Sequence, residues 1–183
     1  SRGSNNATIL ASLDVDLRRI DHRQMPPSRA QLLQAVERSP ACVAAQDRDG
    51  WLALFTSDGV VEDPVGAAPN PRPALGRFYD TFIAGNEIVF EVFDDLTTHD
   101  EVVRDVVIHT RLSTGLRVDV PAHLLYEVVE EGGALKIRRM RAIWDLRGRT
   151  VSALAAGPRG LWTLCVVFGQ MLRVQGLAGV LGY

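Results

Sequence analysis

Residues 59–66 read Gly-Val-Val-Glu-Asp-Pro-Val-Gly, with two neighbouring carboxylates at the centre. Val60 and Val61 read as a short strand, and successive strand residues point to opposite faces. Only one of Glu62 and Asp63 can therefore look inward. Pro64 biases Asp63 toward an extended backbone, and Gly66 permits a sharp exit. Such a stretch can fix one carboxylate at a strand end facing a cavity, the arrangement that general acid–base chemistry uses. The same residues also spell an Asp-Pro turn with both acids in water, so the elements around them must decide. Other chemistries lack their residues. There is no Gly-rich phosphate loop, no Ser or Cys nucleophile in an elbow or dyad, and no His–carboxylate metal spacing. No cofactor and no metal are expected.

The elements that would position a carboxylate at 62–63 begin with helices. Ser28 reads as the cap of a helix carrying Leu32, Leu33 and Val36. Ser39-Pro40 reads as a second helix start, with Ser39 as cap and Pro40 as first residue, running through Val43 to about Gln46. Asp49 can cap a short helix with Trp51, Leu52, Leu54 and Phe55. The strand Val60–Asp63 follows, and then a loop with three prolines. Leu75, Phe78, Tyr79, Phe82 and Ile83 then recur at i, i+3, i+4, i+7 and i+8, one face of a helix that Gly85 stops.

After Gly85 the character changes. Residues 87–93, 101–112, 116–129 and 135–146 are rich in Val, Ile, Leu and aromatic residues, and turn signals separate them. They read as four strands joined by hairpins. Helices first and antiparallel strands after predict an α+β domain: helices packed on a strongly curved antiparallel sheet, a cone with an apolar pocket inside. The expected divisions are an arm over 1–27, a domain over 28–149 and an apolar helical extension over 150–183. Ser1–Ser4 resembles a cloning scar. The extension carries no charge between Gly160 and Leu172, yet that run falls short of the ~18–20 apolar residues a membrane span needs. It reads as a buried cap or an interface, and at most as a peripheral membrane contact, because it lacks a cationic polar face.

The 183 residues carry a net charge of −2, which argues against a general nucleic-acid or anionic-membrane binder. Cys42 and Cys165, both in apolar surroundings, fit two buried thiols in a reducing, cytoplasmic setting.

Taken together, Val61–Gly66, Arg77-Phe78-Tyr79 on the following helix and Ala142-Ile143-Trp144 on the last strand resemble the ketosteroid isomerase branch of the NTF2-like (SnoaL-like) superfamily. The resemblance spans roughly residues 39–146. It implies the cone-shaped NTF2-like fold, a homodimer, and a small apolar, steroid-like ligand. It places Asp63 on the general base that moves a proton between carbon atoms of an enone. That role suits a carboxylate at the closed end of an apolar cone, where burial raises its pKa. Ketosteroid isomerase is itself an established example of carboxylate tuning by environment, and the logic is borrowed from it. Tyr79 falls on a supporting tyrosine, and Met140, Ala142 and Trp144 fall on the pocket wall.

The departures are equally specific. The oxyanion tyrosine of the family aligns with Ser39, a second network tyrosine with Phe55, and the second Asp with Leu124. Replacement donors are therefore sought. A gapless count places Asp105, Val107 and His109 on one inward strand face, where His109 can donate to an oxygen or shuttle a proton. The predicted catalytic set is Asp63, Tyr79 and His109. The predicted lining is Phe78, Asp105, Val107, Ala122, Leu124, Met140, Ala142 and Trp144. Tyr126 shares parity with Leu124 and Ala122, whereas Asp119 and His123 have the outward parity. A non-catalytic pocket or dimerisation module is the rival from another class.

Overall fold

The computed structural model describes residues 26–65, 68–112, 115, 117–144, 157, 158 and 162. The expected arm over 1–27 and the expected extension over 150–183 lie almost wholly outside these residues.

Helix α1 spans Arg29–Ala44. Its start is a capping box: Gln31 N donates to Ser28 Oγ at 3.4 Å, and Ser28 N donates to Gln31 Oε1 at 2.9 Å. The expected break at Ser39-Pro40 does not occur. One apolar stripe, Leu32, Ala35, Val36 and Val43, lies buried on both sides of Pro40, together with Ser39. Burial of that stripe outweighs the backbone hydrogen bond that proline forgoes, so the helix runs through. Helix α2, Arg48–Ala53, is capped by Asp47 rather than by Asp49; Gly50 N donates to Asp47 Oδ1 at 2.8 Å. Gln46, at a φ of 53°, bridges the ends of two helices. Its side chain donates to the Val43 and Asn86 carbonyls and accepts from Gly85 N.

Strand β1 spans Phe55–Glu62 and starts earlier than its apolar end suggests. The two-residue strand β2, Asn70–Pro71, and a single 3-10 turn lead into helix α3, Leu75–Phe82. Strands β3 (Glu87–Thr97), β4 (Glu101–Arg111), β5 (Arg117–Glu131) and β6 (Ala134–Ile143) form the expected meander. The six strands make one open sheet in the order β2-β1-β6-β5-β4-β3. It is mixed rather than wholly antiparallel, because β1 runs parallel to β6. Helices α1–α3 and this sheet form the α+β cone architecture.

The inner face of the sheet is recognised by what it buries. Val102, Arg104 and Val106 face inward on β4, Ala122, Leu124, Tyr126 and Val128 on β5, and Ile137, Met140 and Ala142 on β6. Ile137 and Met140 differ in parity yet are both buried. The β5–β6 register shifts between Glu127 and Val128, a bulge that reverses the alternation along β6. Beside this face Trp51 anchors an aromatic cluster, with ring centroids 4.7 Å from Phe55, 6.1 Å from Phe78 and 5.5 Å from Tyr79.

Candidate functional site at the end of strand β1

Asp63 follows the last residue of β1, and Trp144 follows the last residue of β6. Parallel pairing of Glu62 with Arg141 carries the two ends side by side. Pro64 has no N–H for the ladder, but Val65 N donates to the Ala142 carbonyl at 2.8 Å, so the chain is pinned on both sides of the proline. The indole Nε1 of Trp144 donates to Asp63 Oδ1 at 2.6 Å. Burial pushes the Asp63 carboxyl up to about 6, and the indole hydrogen bond pulls in the other direction without cancelling it. A carboxyl so tuned changes protonation near neutral pH and can take a proton from a weak acid. Glu62 is engaged elsewhere, with Arg139 at 3.1 Å.

The register sets a row of residues across the inner face. Ala142 pairs with Leu124, Leu124 with Arg104, and Arg104 with Asp95. Asp63 stands next to Ala142 at the end of that row. In the neighbouring row Met140 pairs with Tyr126 and Tyr126 with Val102. Of the residues expected to line a pocket, Ala122, Leu124, Met140, Ala142 and Trp144 thus share a sheet face with Asp63. Phe78 is buried among Trp51 and Phe82 instead.

Two of the expected catalytic side chains are not brought to Asp63. Tyr79 is buried against Trp51. Its hydroxyl has no hydrogen-bond partner among the described residues, and the other groups that act on it are Asp47, Cys42, Arg48 and Asp80; burial raises its pKa. It belongs to the junction of α1, α2 and α3. The inward orientation expected for Asp105, Val107 and His109 is corrected. Val102, Arg104 and Val106 occupy the inner parity of β4, so the odd-numbered residues face away from the core. On that outer face His109 Nδ1 lies 2.8 Å from Asp119 Oδ1, and its Nε2 lies 3.0 Å from Glu91 Oε2. His123 lies 3.4 Å from Asp105 there. An open hollow of about 340 Å³, lined by Glu87, Val89, His109, Thr110, Arg111, Arg117 and Asp119, belongs to the same outer side.

Arg138 sits at the β6 bulge and pairs with Glu127. Sequence reasoning missed Arg104, whose side chain is only 4% exposed. Its Nε and Nη2 donate to the two oxygens of Asp95, at 2.9 and 3.0 Å. The signal was available: the Thr98–Asp100 hairpin sets Asp95 opposite Arg104, and a cross-strand acid–base pair inside a valine-rich segment marks a charge that requires a partner. Among the described residues no group of three or more His, Cys, Asp and Glu side chains is placed to hold a metal ion.

The SnoaL-like domain matches residues 36–140. The chain belongs to the SnoaL-like family. A Mycobacterium tuberculosis protein solved with estradiol-17β-hemisuccinate is 32% identical, with a TM-score of 0.56 over 67% of this chain and 96% of its own. The Δ5-3-ketosteroid isomerase from Mycobacterium sp. is 30% identical, with a TM-score of 0.56 over 63% and 94%. An M. tuberculosis LEH-like epoxide hydrolase shares the fold at 19% identity, with a TM-score of 0.58 over 76% and 98%. No functionally curated protein matches the sequence.

In this SnoaL-like chain the three departures from the isomerase pattern have distinct surroundings. Ser39, where the oxyanion tyrosine is expected, is buried inside α1 and accepts from Trp51 Nε1 at 3.1 Å. Phe55 packs on Trp51. Leu124 lies in the buried row between Ala142 and Arg104. Tyr126 lies within hydrogen-bond reach of Ser39, and burial pushes its hydroxyl up to about 12, so it remains a donor throughout the physiological range.

Proposed function

We propose that this SnoaL-like protein is a ketosteroid isomerase-like enzyme that acts on a steroid or similar apolar ring compound, with Asp63 as general base. The observation that carries the reading is the half-buried Asp63, whose carboxyl is held by Trp144 at 2.6 Å beside an inner face of Ala142, Leu124 and Met140. Asp63 removes a proton from a carbon next to a carbonyl and returns it at another carbon of the conjugated system, so the substrate is isomerised with no net gain or loss of atoms. Trp144 fixes the carboxylate and limits the rise in its pKa. The similar proteins with a bound steroid hemisuccinate and with ketosteroid isomerase identity support the ligand class. The reading includes a 28–149 catalytic domain, a homodimer and a cytoplasmic location. The test is Δ5-3-ketosteroid isomerisation by wild type and Asp63→Asn. Turnover that the substitution abolishes is the expected result; absence of turnover, or turnover that survives, removes the reading.

A second reading is a non-catalytic protein that binds a lipophilic ligand. It is favoured by the fates of the expected donors: Tyr79 lies at a helix junction, His109 lies on the outer face, and Ser39 is tied to Trp51. A rise in melting temperature with a steroid but no turnover decides for it.

A further inference from the structure

Arg111 and Arg117 stand directly opposite each other on β4 and β5, and Glu87 completes their row from β3. The next row of the same parity holds Val89, His109 and Asp119. These six residues, with Thr110, line the open hollow of about 340 Å³ on the outer side of the sheet. A volume of that size lies at the small end of the range for small-molecule sites.

Like charges directly opposite across a strand pair destabilise it. The neighbouring carboxylates do not relieve this pair. Glu87 Oε2 is 3.7 Å from Arg111 Nη1, too far for a hydrogen bond. Arg117 has no ion-pair partner among the described residues. Asp119, two residues along β5 from Arg117, is drawn to His109 instead, its Oδ1 2.8 Å from Nδ1. Glu91 holds the other ring nitrogen at 3.0 Å. The imidazole thus takes up two carboxylates, and the guanidiniums are left with donors that no described carboxylate accepts. Two guanidiniums against the one carboxylate of Glu87 leave a single positive charge over in their row. Val89, 56% exposed, adds an apolar wall beside it.

We propose that this outer hollow is a binding site for a small organic carboxylate, whose two oxygens bridge Arg111 and Arg117 and whose apolar body lies against Val89. The planar two-oxygen acceptor suits guanidinium N–H pairs, and its one charge balances the one in excess. A phosphate dianion brings a charge more than the row supplies, meets Glu87, and offers Val89 no apolar surface. A bound carboxylate turns the repulsion between the two arginines into attraction to a shared partner. Asp63 shares the opposite face of the sheet with Leu124 and Ala142, so the occupant of the hollow is a second molecule rather than the substrate of Asp63. The proposal is therefore independent of the general-base reading.

The test is a titration of the full chain, followed by two-dimensional nitrogen–proton NMR of the arginine Nε–H groups, with benzoate and with its neutral counterpart benzamide. Benzoate is expected to shift the Arg111 and Arg117 signals saturably, and benzamide to leave them in place. Arg117→Gln, an exposed position, is expected to weaken benzoate at least ~10-fold, the scale of one charge-assisted contact. Glu87→Gln removes the opposing charge and is expected to tighten it several-fold. Inorganic phosphate is expected to bind more weakly than benzoate. The absence of a saturable shift, equal shifts with benzamide, or an affinity that Arg117→Gln leaves unmoved overturns the site. Phosphate binding tighter than benzoate overturns the organic carboxylate as its ligand.

Discussion

Trp144 donates its indole N–H to Asp63 at 2.6 Å across 81 residues of chain, because β1 and β6 run parallel and end together. This hydrogen bond opposes the effect of burial, which lifts the carboxyl to about 6. If Asp63 is the base, it works only when ionised, so turnover rises with pH through about 6 and then levels. Trp144→Phe keeps the ring's bulk approximately and deletes the donor. The midpoint of the pH–kcat/KM profile is expected to move upward, by ~1 unit on the scale of one hydrogen bond to a charged group. A midpoint that stays in place shows that the indole does not tune the base.

The same carboxyl carries a stability cost. Its folded pKa, about 6, lies above its ordinary value of 3.8, so the fold favours the neutral acid. The Asp63 contribution is most favourable below pH 3.8 and declines as pH rises from there to about 6. Asp63→Asn removes the charge and retains an oxygen that accepts from Trp144. At pH 7.5 it is expected to stabilise the protein by ~2 kcal/mol, and at pH 4 by much less. Urea denaturation at the two pH values checks this; equal effects at both contradict it.

The general architecture was legible because its signals are redundant. Helix α3 announces itself through Leu75, Phe78, Tyr79, Phe82 and Ile83, and the meander through its three turn segments. Side-chain direction along β4 was not legible. Val102-Val103 and Val106-Val107 present equal apolar residues to either face, and the residues that break the tie are charged. The inner position went to Arg104, whose charge is met by Asp95 and Glu37, neighbours that only the folded chain supplies. In β6 the bulge beside Arg138 switches parity between Ile137 and Met140, which alternation alone does not reveal. Ser39-Pro40 has the letters of a helix start, yet tertiary burial of Val36 and Val43 across it decides the outcome. Asp63 could be singled out from its neighbours, whereas its partner Trp144 depended on two strand ends meeting.

His109 stands between two carboxylates, one on each ring nitrogen. A neutral imidazole has a single N–H and satisfies only one of them, so the arrangement favours the doubly protonated ring. The hydrogen bonds to Asp119 and Glu91 raise its pKa above 6.5. Its contribution to stability is fully present below pH 6.5 and is lost as pH rises through the raised folded value. Since Glu91 lies on the edge strand β3 and Asp119 on β5, amide exchange in β3 is expected to accelerate over that window. His109→Gln should flatten this dependence; an unchanged pH profile in the variant contradicts the assignment.

Gly85 ends the α3 segment at a φ of +75°, where an added Cβ meets no atom of the described residues within 4 Å. A substitution there suffers backbone strain without steric conflict. Gly85→Ala is expected to cost ~1 kcal/mol, the penalty for a left-handed alanine, and thermal denaturation will read it. A neutral or stabilising effect indicates that the chain end of α3 relaxes to another conformation.

Adjacent residues in α1 should respond with opposite signs. Pro40 sits inside the helix without a backbone N–H to give to the preceding turn. Pro40→Ala restores a donor and removes a ring clash, effects that outweigh the added freedom of the unfolded chain. A gain of ~1 kcal/mol is expected, smaller than the full interior-proline penalty because the surrounding turn already accommodates the ring. Ser39→Ala instead strips the buried indole of Trp51 of its acceptor. An unsatisfied buried donor costs ~1–3 kcal/mol, so the alanine is expected to destabilise in that range despite its better helix propensity. Chemical denaturation of the two single variants checks both. If Ser39→Ala proved stabilising, the Trp51–Ser39 hydrogen bond would contribute nothing to stability.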